Sequence, residues 1–350
     1  MIRVLILCGT SLPLQRQIPD EEYYTWGRVQ FVFNPDSEYD YVVGGCPFIF
    51  ASKVPKERCI FTIEEPPMVF TYTKRFLKQY GHVYGFHRNL IKEGLITQSI
   101  PFLPWMAGCS FNIEKRTWDK DGVTYNDFKR MEVVTEGRKN RVCVITSNKK
   151  MTHGHRKRMS FINKLLENKV NFIDIYGNGF TPISDKLEIL KQYKYVLVLE
   201  NCKYHNYWTE KLADTFLAGA YPIYYGCPNI EDYFSKESYT SINIEDYEMS
   251  IRTIEHLLEY NYWEKHIEAI LSARELVLDK YNLFARLRDI ITEIDNKNPP
   301  KFDDSNKRHY LYPQLKLPLI IRIKRHLYAT AHYNIKHLFK SLLTYTNKYI

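Results

Sequence analysis

The stretch Tyr195-Val196-Leu197-Val198-Leu199-Glu200-Asn201, with Trp208-Thr209-Glu210-Lys211-Leu212 after six intervening residues, decides the fold. A strand-type apolar run ends in a polar Glu-Asn pair, and a short loop with Tyr204, His205 and Tyr207 follows. Thr209 is a good N-cap for a helix that stops at Gly219, a good C′ residue. Leu212 and Phe216 stand four apart and face the core. Lys211 in the first turn opposes the helix dipole, a placement that makes sense where an anion binds the helix N-terminus and the ammonium together. Strand, polar loop and cationic helix N-terminus describe a phosphate site at the carboxyl edge of a parallel sheet.

Outward from this segment, strands alternate with helices. The pattern predicts strands at 142–146, 172–176, 195–199 and 221–225, with helices at 157–168, 184–193 and 209–218 between them. Two more helices are expected over 246–281. Upstream, short strands are expected at 4–7, 29–33, 41–43, 60–62 and 83–86, and 112–140 reads as a loop or linker. Such alternation implies α/β units with parallel sheets. The predicted organisation is two α/β domains, 1–140 and 141–297, followed by a basic tail, 298–350.

The central block reads Leu199-Glu200-Asn201-Cys202, Tyr207-Trp208-Thr209-Glu210-Lys211 and Gly219-Ala220-Tyr221-Pro222-Ile223-Tyr224-Tyr225-Gly226-Cys227-Pro228. It resembles the family 10 glycosyltransferases, the α1,3/4-fucosyltransferases, whose block is Phe-Glu-Asn-Ser, a variable loop, Tyr-x-Thr-Glu-Lys, then Gly-x-x-Pro-x-x-x-Gly-x-Pro. Thr146-Ser147-Asn148, Arg158-Met159-Ser160-Phe161 and Asp174-Ile175-Tyr176-Gly177 extend the likeness. Cys202 stands where the family usually has Ser, and Trp208 where it usually has a small aliphatic.

The resemblance implies a GT-B fold, two Rossmann-like domains facing a cleft, and inverting transfer of L-fucose from GDP-fucose to a GlcNAc- or Glc-containing surface glycan, as an oligosaccharide or lipid-linked acceptor, in α1,3 or α1,4 linkage. It implies no bound metal and no required cofactor, with Mn or Mg at most a non-essential stimulant, so that side-chain cations and the helix terminus stabilise the diphosphate. Arg158 and Lys211 are the expected diphosphate residues: arginine as a bidentate fork, lysine as a point charge. Glu210 resembles the carboxylate that accepts from the ribose hydroxyls. Asn201, Tyr207, Ser147, Asn148 and Tyr176 match donor-site positions. Glu200 either contacts the donor or orders the loop. The general base is expected in Ile60-Phe61-Thr62-Ile63-Glu64-Glu65-Pro66-Pro67, where the family has a strand ending in Glu-Ser-Pro. Successive strand residues point to opposite faces, so only one of the two is expected to reach the acceptor, and Glu65 is favoured over Glu64 because it lies nearer the carboxyl end of the strand. Two alternatives stand beside this reading: a GT-B transferase using another nucleotide sugar, and a membrane-associated, non-catalytic glycan-binding protein.

Composition bounds these expectations. The 350 residues carry a net charge of +9, 45% apolar residues and 25% charged ones, the profile of a globular protein. No run approaches a membrane span. Residues 3–9 read as a buried first strand, which with the lack of an anchor leads to the expectation of a cytoplasmic, bacterial-type enzyme. Seven scattered cysteines suit reduced thiols rather than a disulfide or zinc framework. Asp119-Lys120-Asp121 reads as a turn rather than a metal motif, and His153 and His155 as exposed. No nucleic-acid partner is expected.

Of the net charge, the last fifty residues hold ten Lys or Arg against Asp303 and Asp304, 10 − 2 = +8. Ile320, Ile323, Leu327, Ala331, Ile335, Leu338, Leu342, Tyr345 and Tyr349 form one apolar stripe. A basic amphipathic helix over 319–349 suits an anionic membrane surface, peripheral on the inner face of the cytoplasmic membrane, with a homodimer seam as the alternative use of that stripe.

Overall fold

A computed structural model describes residues 1–7, 12–45, 49–112, 114–115, 117–119, 121–297 and 309–313. It contains two α/β units. The first is built on a sheet ordered Thr25–Trp26, Val29–Val32, Ile2–Leu7, Tyr41–Gly44, Cys59–Thr62, His82–Gly85, Thr97–Gln98. Every neighbour pair is parallel except the hairpin at Thr25–Trp26. Val4 and Leu5 are fully buried, as a central strand covered on both faces requires.

The second sheet is wholly parallel, in the order Ile173–Tyr176, Lys139–Ile145, Tyr193–Leu199, Tyr221–Tyr225, Thr240–Ser241. The chain leaves Lys139–Ile145 to one side and returns to its other side with Tyr193–Leu199. A crevice therefore opens between the carboxyl ends of these two strands, the switch point where open α/β sheets bind ligands. Two parallel α/β units of this kind are the GT-B arrangement that the sequence predicts.

The crossover helix His153–Glu167 buries Arg158, Met159, Phe161, Ile162 and Leu165, one stripe at helical spacing. It starts four residues earlier than the apolar pattern suggests, because Thr152 caps it by accepting from the His155 amide. The expected helix over 184–193 is only Lys186–Leu190, capped by Asp185, and Tyr193 already belongs to the strand. The stretch 112–140, expected as linker, holds a short strand pair and the helix Tyr125–Arg130, whose Phe128 is fully buried in the second core.

The last described helix, Leu283–Lys297, falls by sequence in the second unit but packs on the first sheet. Leu283, Phe284, Leu287, Ile291 and Ile294 join the core of Val4, Val29 and Phe31, and the Phe284 and Phe31 rings meet at 4.8 Å. Beyond it, His309–Leu311 pairs antiparallel with Phe50–Ser52, and Leu311 is buried in the first unit. The predicted amphipathic stretch 319–349 lies outside the described residues.

Candidate active site

Thr209 caps the helix Glu210–Leu217, and Gly219, at φ +70°, takes the left-handed conformation its C-terminus needs. Glu200, fully buried, sits beneath the helix N-terminus. One of its oxygens accepts from the Thr209 amide at 2.8 Å and the other from the Thr209 hydroxyl at 2.8 Å. Both oxygens are thus engaged within the chain, so Glu200 orders the loop between strand and helix. Burial raises its carboxyl, while Lys211 at 3.6 Å acts against the rise.

Lys211 extends back along the helix start. Its Nζ lies 3.1 Å from the Thr209 hydroxyl and 3.0 Å from Glu210 Oε1. Burial opposes the ammonium charge, but Glu210 and Glu200 outweigh it and hold Lys211 well above the ordinary lysine range. In Glu210 burial likewise works against the charge, and Lys211 and Lys186 overcome it, drawing the carboxyl down to about 2. Lys186, which the sequence reading did not single out, lies 3.8 Å from Glu210 and 2.7 Å from Asp214 Oδ2. The buried Asp214 also accepts the Met106 and Ala107 amides, tying the segment between the two sheets to this helix. The only signal for Lys186 was its place beside the N-cap Asp185.

Arg158 closes the crevice at the switch point. It is 3% exposed, against a solvent-facing Arg156. Its Nη1 donates to Asn201 Oδ1 at 2.7 Å, and its Nη2 to the Ser147 carbonyl at 3.2 Å, so it joins the ends of the two central strands. Its Nε is buried without a partner. Burial lowers the Arg158 pKa, with Glu200 opposing. The helix carrying Arg158 approaches Asn201 so closely that a Cβ on Gly154 would stand 1.8 Å from the Asn201 carbonyl.

His155 is buried here rather than exposed as expected: its Nδ1 is 2.6 Å from the Thr152 hydroxyl. Burial and the Arg158, Lys149 and Lys211 charges push it down to about 4, so its imidazole is neutral at pH 7. His153 is exposed as predicted. Asn148 lies beside Ser147, its amide bonded to the Asn178 carbonyl. Tyr176 belongs to a different network. Its hydroxyl meets that of Tyr193 at 2.8 Å, and Tyr193 donates to Asp174, the partner of Arg141. The structure therefore groups Arg158, Asn201, Ser147, Glu200, Glu210 and Lys211, and commits the Tyr176 hydroxyl elsewhere.

The loop between Asn201 and Trp208 crosses to the first unit. Tyr207 is buried against Phe86, ring centroids 5.4 Å apart, and the Arg88 amide donates to the Tyr204 hydroxyl. Tyr207, expected at the donor, thus also docks one unit on the other. Trp208 is anchored among Tyr233, Phe234 and Tyr281, and lines a small cavity with Glu210, Trp105 and Asn282.

Glu65 faces this assembly from the first unit, with Glu64 beside it. The strand Cys59–Thr62 ends before them, so both lie past its carboxyl edge and both reach solvent, rather than alternating across the sheet. The Glu65 carbonyl accepts from His87 Nε2 at 2.8 Å. Although both residues keep solvent-exposed surface, the protein mass around the cleft partly desolvates their carboxyls. With the Glu65 charge beside it, Glu64 is pushed up to about 7. Glu65 is raised by the same desolvation, opposed by Lys211 and Lys149 and reinforced by Glu210. Glu65 thus feels the second unit's charged groups directly.

Asp119 and Asp121 are exposed, and among the described residues no group of three or more His, Cys, Asp or Glu is arranged to hold a metal. The described cysteines, Cys59, Cys109, Cys143, Cys202 and Cys227, are all free and buried. No helix among the described residues is long and apolar enough to cross a membrane.

Residues 135–270 match the family model described as glycosyltransferase family 10 (fucosyltransferase), C-terminal part. The chain is 32% identical over 89 residues to the α-(1,3)-fucosyltransferase FucT of Helicobacter pylori, covering 25% of this chain and 18% of that protein. It is 32% identical over 123 residues to 4-galactosyl-N-acetylglucosaminide 3-α-L-fucosyltransferase 9 of Homo sapiens, covering 34% of this chain and 32% of that one. The chain thus matches less than a third of the length of either relative. A crystal structure of an α1,3-fucosyltransferase with GDP-fucose superimposes with a TM-score of 0.44 at 15% identity, over 80% of this chain and 90% of that one. The matched segment contains Arg158, Asn201, Glu210 and Lys211, and through this segment the chain is similar to glycosyltransferase family 10.

Proposed function

We propose that this protein transfers L-fucose from GDP-fucose to a hydroxyl of a GlcNAc- or Glc-containing glycan, in α1,3 or α1,4 linkage and with inversion at the anomeric carbon. One observation carries the reading: buried Arg158 and half-buried Lys211 converge at the second sheet's switch point, and the Glu65 carboxylate lies within their electrostatic reach from the first unit. The diphosphate lies against Arg158 and Lys211 and the start of the helix Glu210–Leu217. An ammonium has three donors. Thr209 and Glu210 take two from Lys211, leaving one for a phosphate oxygen. Glu210, ionised, accepts from the ribose hydroxyls.

Glu65 removes the proton from the acceptor hydroxyl as its oxygen attacks the anomeric carbon of fucose. The bond from that carbon to the β-phosphate oxygen breaks on the opposite face, and GDP leaves with the electron pair. The cations stabilise the charge that develops on the diphosphate. Glu65 is preferred to Glu64 because Lys211 and Glu210 lie within its electrostatic reach. No metal is required on this reading, and activity survives EDTA; loss on chelation with rescue by Mn²⁺ would contradict it. The lipid-linked acceptor and a location on the inner face of the cytoplasmic membrane, through 319–349, belong to the same proposal, and sedimentation with anionic liposomes tests them.

Calorimetric titration with GDP tests the donor site. Arg158→Ala and Lys211→Ala each weaken GDP by roughly 10- to 100-fold, the loss of a charge-assisted contact. Arg156→Ala changes it little. Unaltered affinity in the first two variants would overturn the assignment.

A further inference from the structure

Immediately after the two carboxylates, the chain makes a tight turn in which the Val69 and Phe70 amides both donate to the Pro66 carbonyl. The turn leaves Met68 47% and Phe70 38% exposed. Phe70 is backed on one side by Tyr72, with ring centroids 4.8 Å apart and planes at 59°. Tyr72 is itself fixed by Phe61 at 5.3 Å and Phe76 at 5.9 Å, and its ring stands 5.9 Å from His87, which holds the Glu65 carbonyl. Phe70, Tyr72, His87 and Glu65 thus form one continuous run of contacts. Burial and the negative charges of Glu64 and Glu65 both disfavour ionisation of the Tyr72 hydroxyl. Isolated exposed apolar side chains need no explanation, but an aromatic shelf bordering the carboxylates of a polar cleft does.

We propose that Phe70, flanked by Met68 and braced by Tyr72, is the platform on which the acceptor's hexopyranose ring stacks, so that its hydroxyl edge turns toward Glu65. The inference rests on the glycosyl-transfer reading above and adds the acceptor subsite to it. A pyranose offers one face of C–H groups and a rim of hydroxyls. A phenyl ring can bind only the former, which leaves the hydroxyls for the carboxylates. A ring already held by its neighbours loses little entropy on binding.

Saturation-transfer NMR with methyl β-galactoside, methyl β-N-acetylglucosaminide, lactose and N-acetyllactosamine, on the full chain with GDP present, tests this subsite. At least one of the four receives saturation chiefly on the C–H protons of one ring face. Phe70→Ala abolishes that signal or weakens binding about tenfold, and Phe70→Trp restores it. Both variants keep the wild-type GDP affinity and melting temperature. Binding of none of the four, or equal binding by wild type and Phe70→Ala, would overturn the proposal. A wild-type protein that binds a hexoside through Phe70 but not GDP would sink the donor reading and leave the shelf standing.

Discussion

Glu210 Oε1 lies 3.0 Å from Lys211 Nζ, so two adjacent residues of opposite charge share the first turn of one helix. Each holds the other ionised in a partly buried site. Lys186, 3.8 Å from the same Glu210 oxygen, fixes the carboxylate from the other side and links it to Asp214. Lys186→Met removes one of the cations that keep Glu210 charged. The expected outcome is a KM for GDP-fucose raised about tenfold with kcat little changed, since the carboxylate that accepts from the ribose is held less firmly while the diphosphate contacts remain. Lys186→Arg restores part of the loss. A fall in kcat at unchanged KM would place Lys186 at the reaction centre instead.

Gly154 is required by proximity rather than by dihedral angle. An added methyl meets the Asn201 carbonyl, a backbone atom that no rotamer change can move. Gly154→Ala therefore pushes the helix His153–Glu167 away from Asn201 and breaks the bond that Arg158 makes there. Thermal unfolding shows a loss of about 3 kcal/mol, with weaker GDP binding. Wild-type stability and GDP affinity would contradict this packing requirement.

The two cleft carboxylates titrate as a coupled pair. The base must be ionised to accept a proton, so kcat/KM rises with pH along an acid limb displaced upward from the ordinary glutamate range, with Glu64 at about 7 as its upper bound. Glu65→Gln lowers kcat by roughly 10²- to 10⁴-fold. Glu64→Gln keeps activity. Because it removes a negative charge beside Glu65, it favours the ionised form there and moves the limb to lower pH. The reverse pattern, with Glu64→Gln inactive, would exchange the two roles.

The chain after residue 308 returns to the first unit. Leu311 is buried, His309 Nε2 donates to the Gln79 carbonyl at 2.7 Å, and the Gln79 side chain bonds both backbone groups of Tyr312. Truncation after Pro299 removes this strand and costs ~2–4 kcal/mol in denaturant unfolding, from one buried leucine and several hydrogen bonds. Truncation after Pro313 costs less than ~1 kcal/mol. Equal stability of the two truncations would show that the strand contributes nothing.

The second unit was the more legible in sequence. The apolar run 195–199, the cap Thr209 and the stop Gly219 are local signals, and each matches the observed element. Arg158 was legible because Phe161 and Leu165 fix the register that buries it. Contacts made across sequence distance were not legible. Nothing near residue 283 says that its helix covers the first sheet, because its apolar stripe would suit any core. Lys186 acquires its role only when the fold brings Asp214 and Glu210 beside it. His155 was expected to be exposed, yet the Thr152 cap starts the helix early enough to turn it inward. The alternation expected of Glu64 and Glu65 fails because the strand ends at Thr62.

The most direct test of the central claim is a transfer assay with the full chain, GDP-fucose and a panel of type 1 and type 2 glycan acceptors, read by mass spectrometry with EDTA present. The account predicts one added deoxyhexose on at least one acceptor and equimolar release of GDP, both lost in Lys211→Ala. Turnover of a different nucleotide sugar, with GDP-fucose left intact, would contradict it.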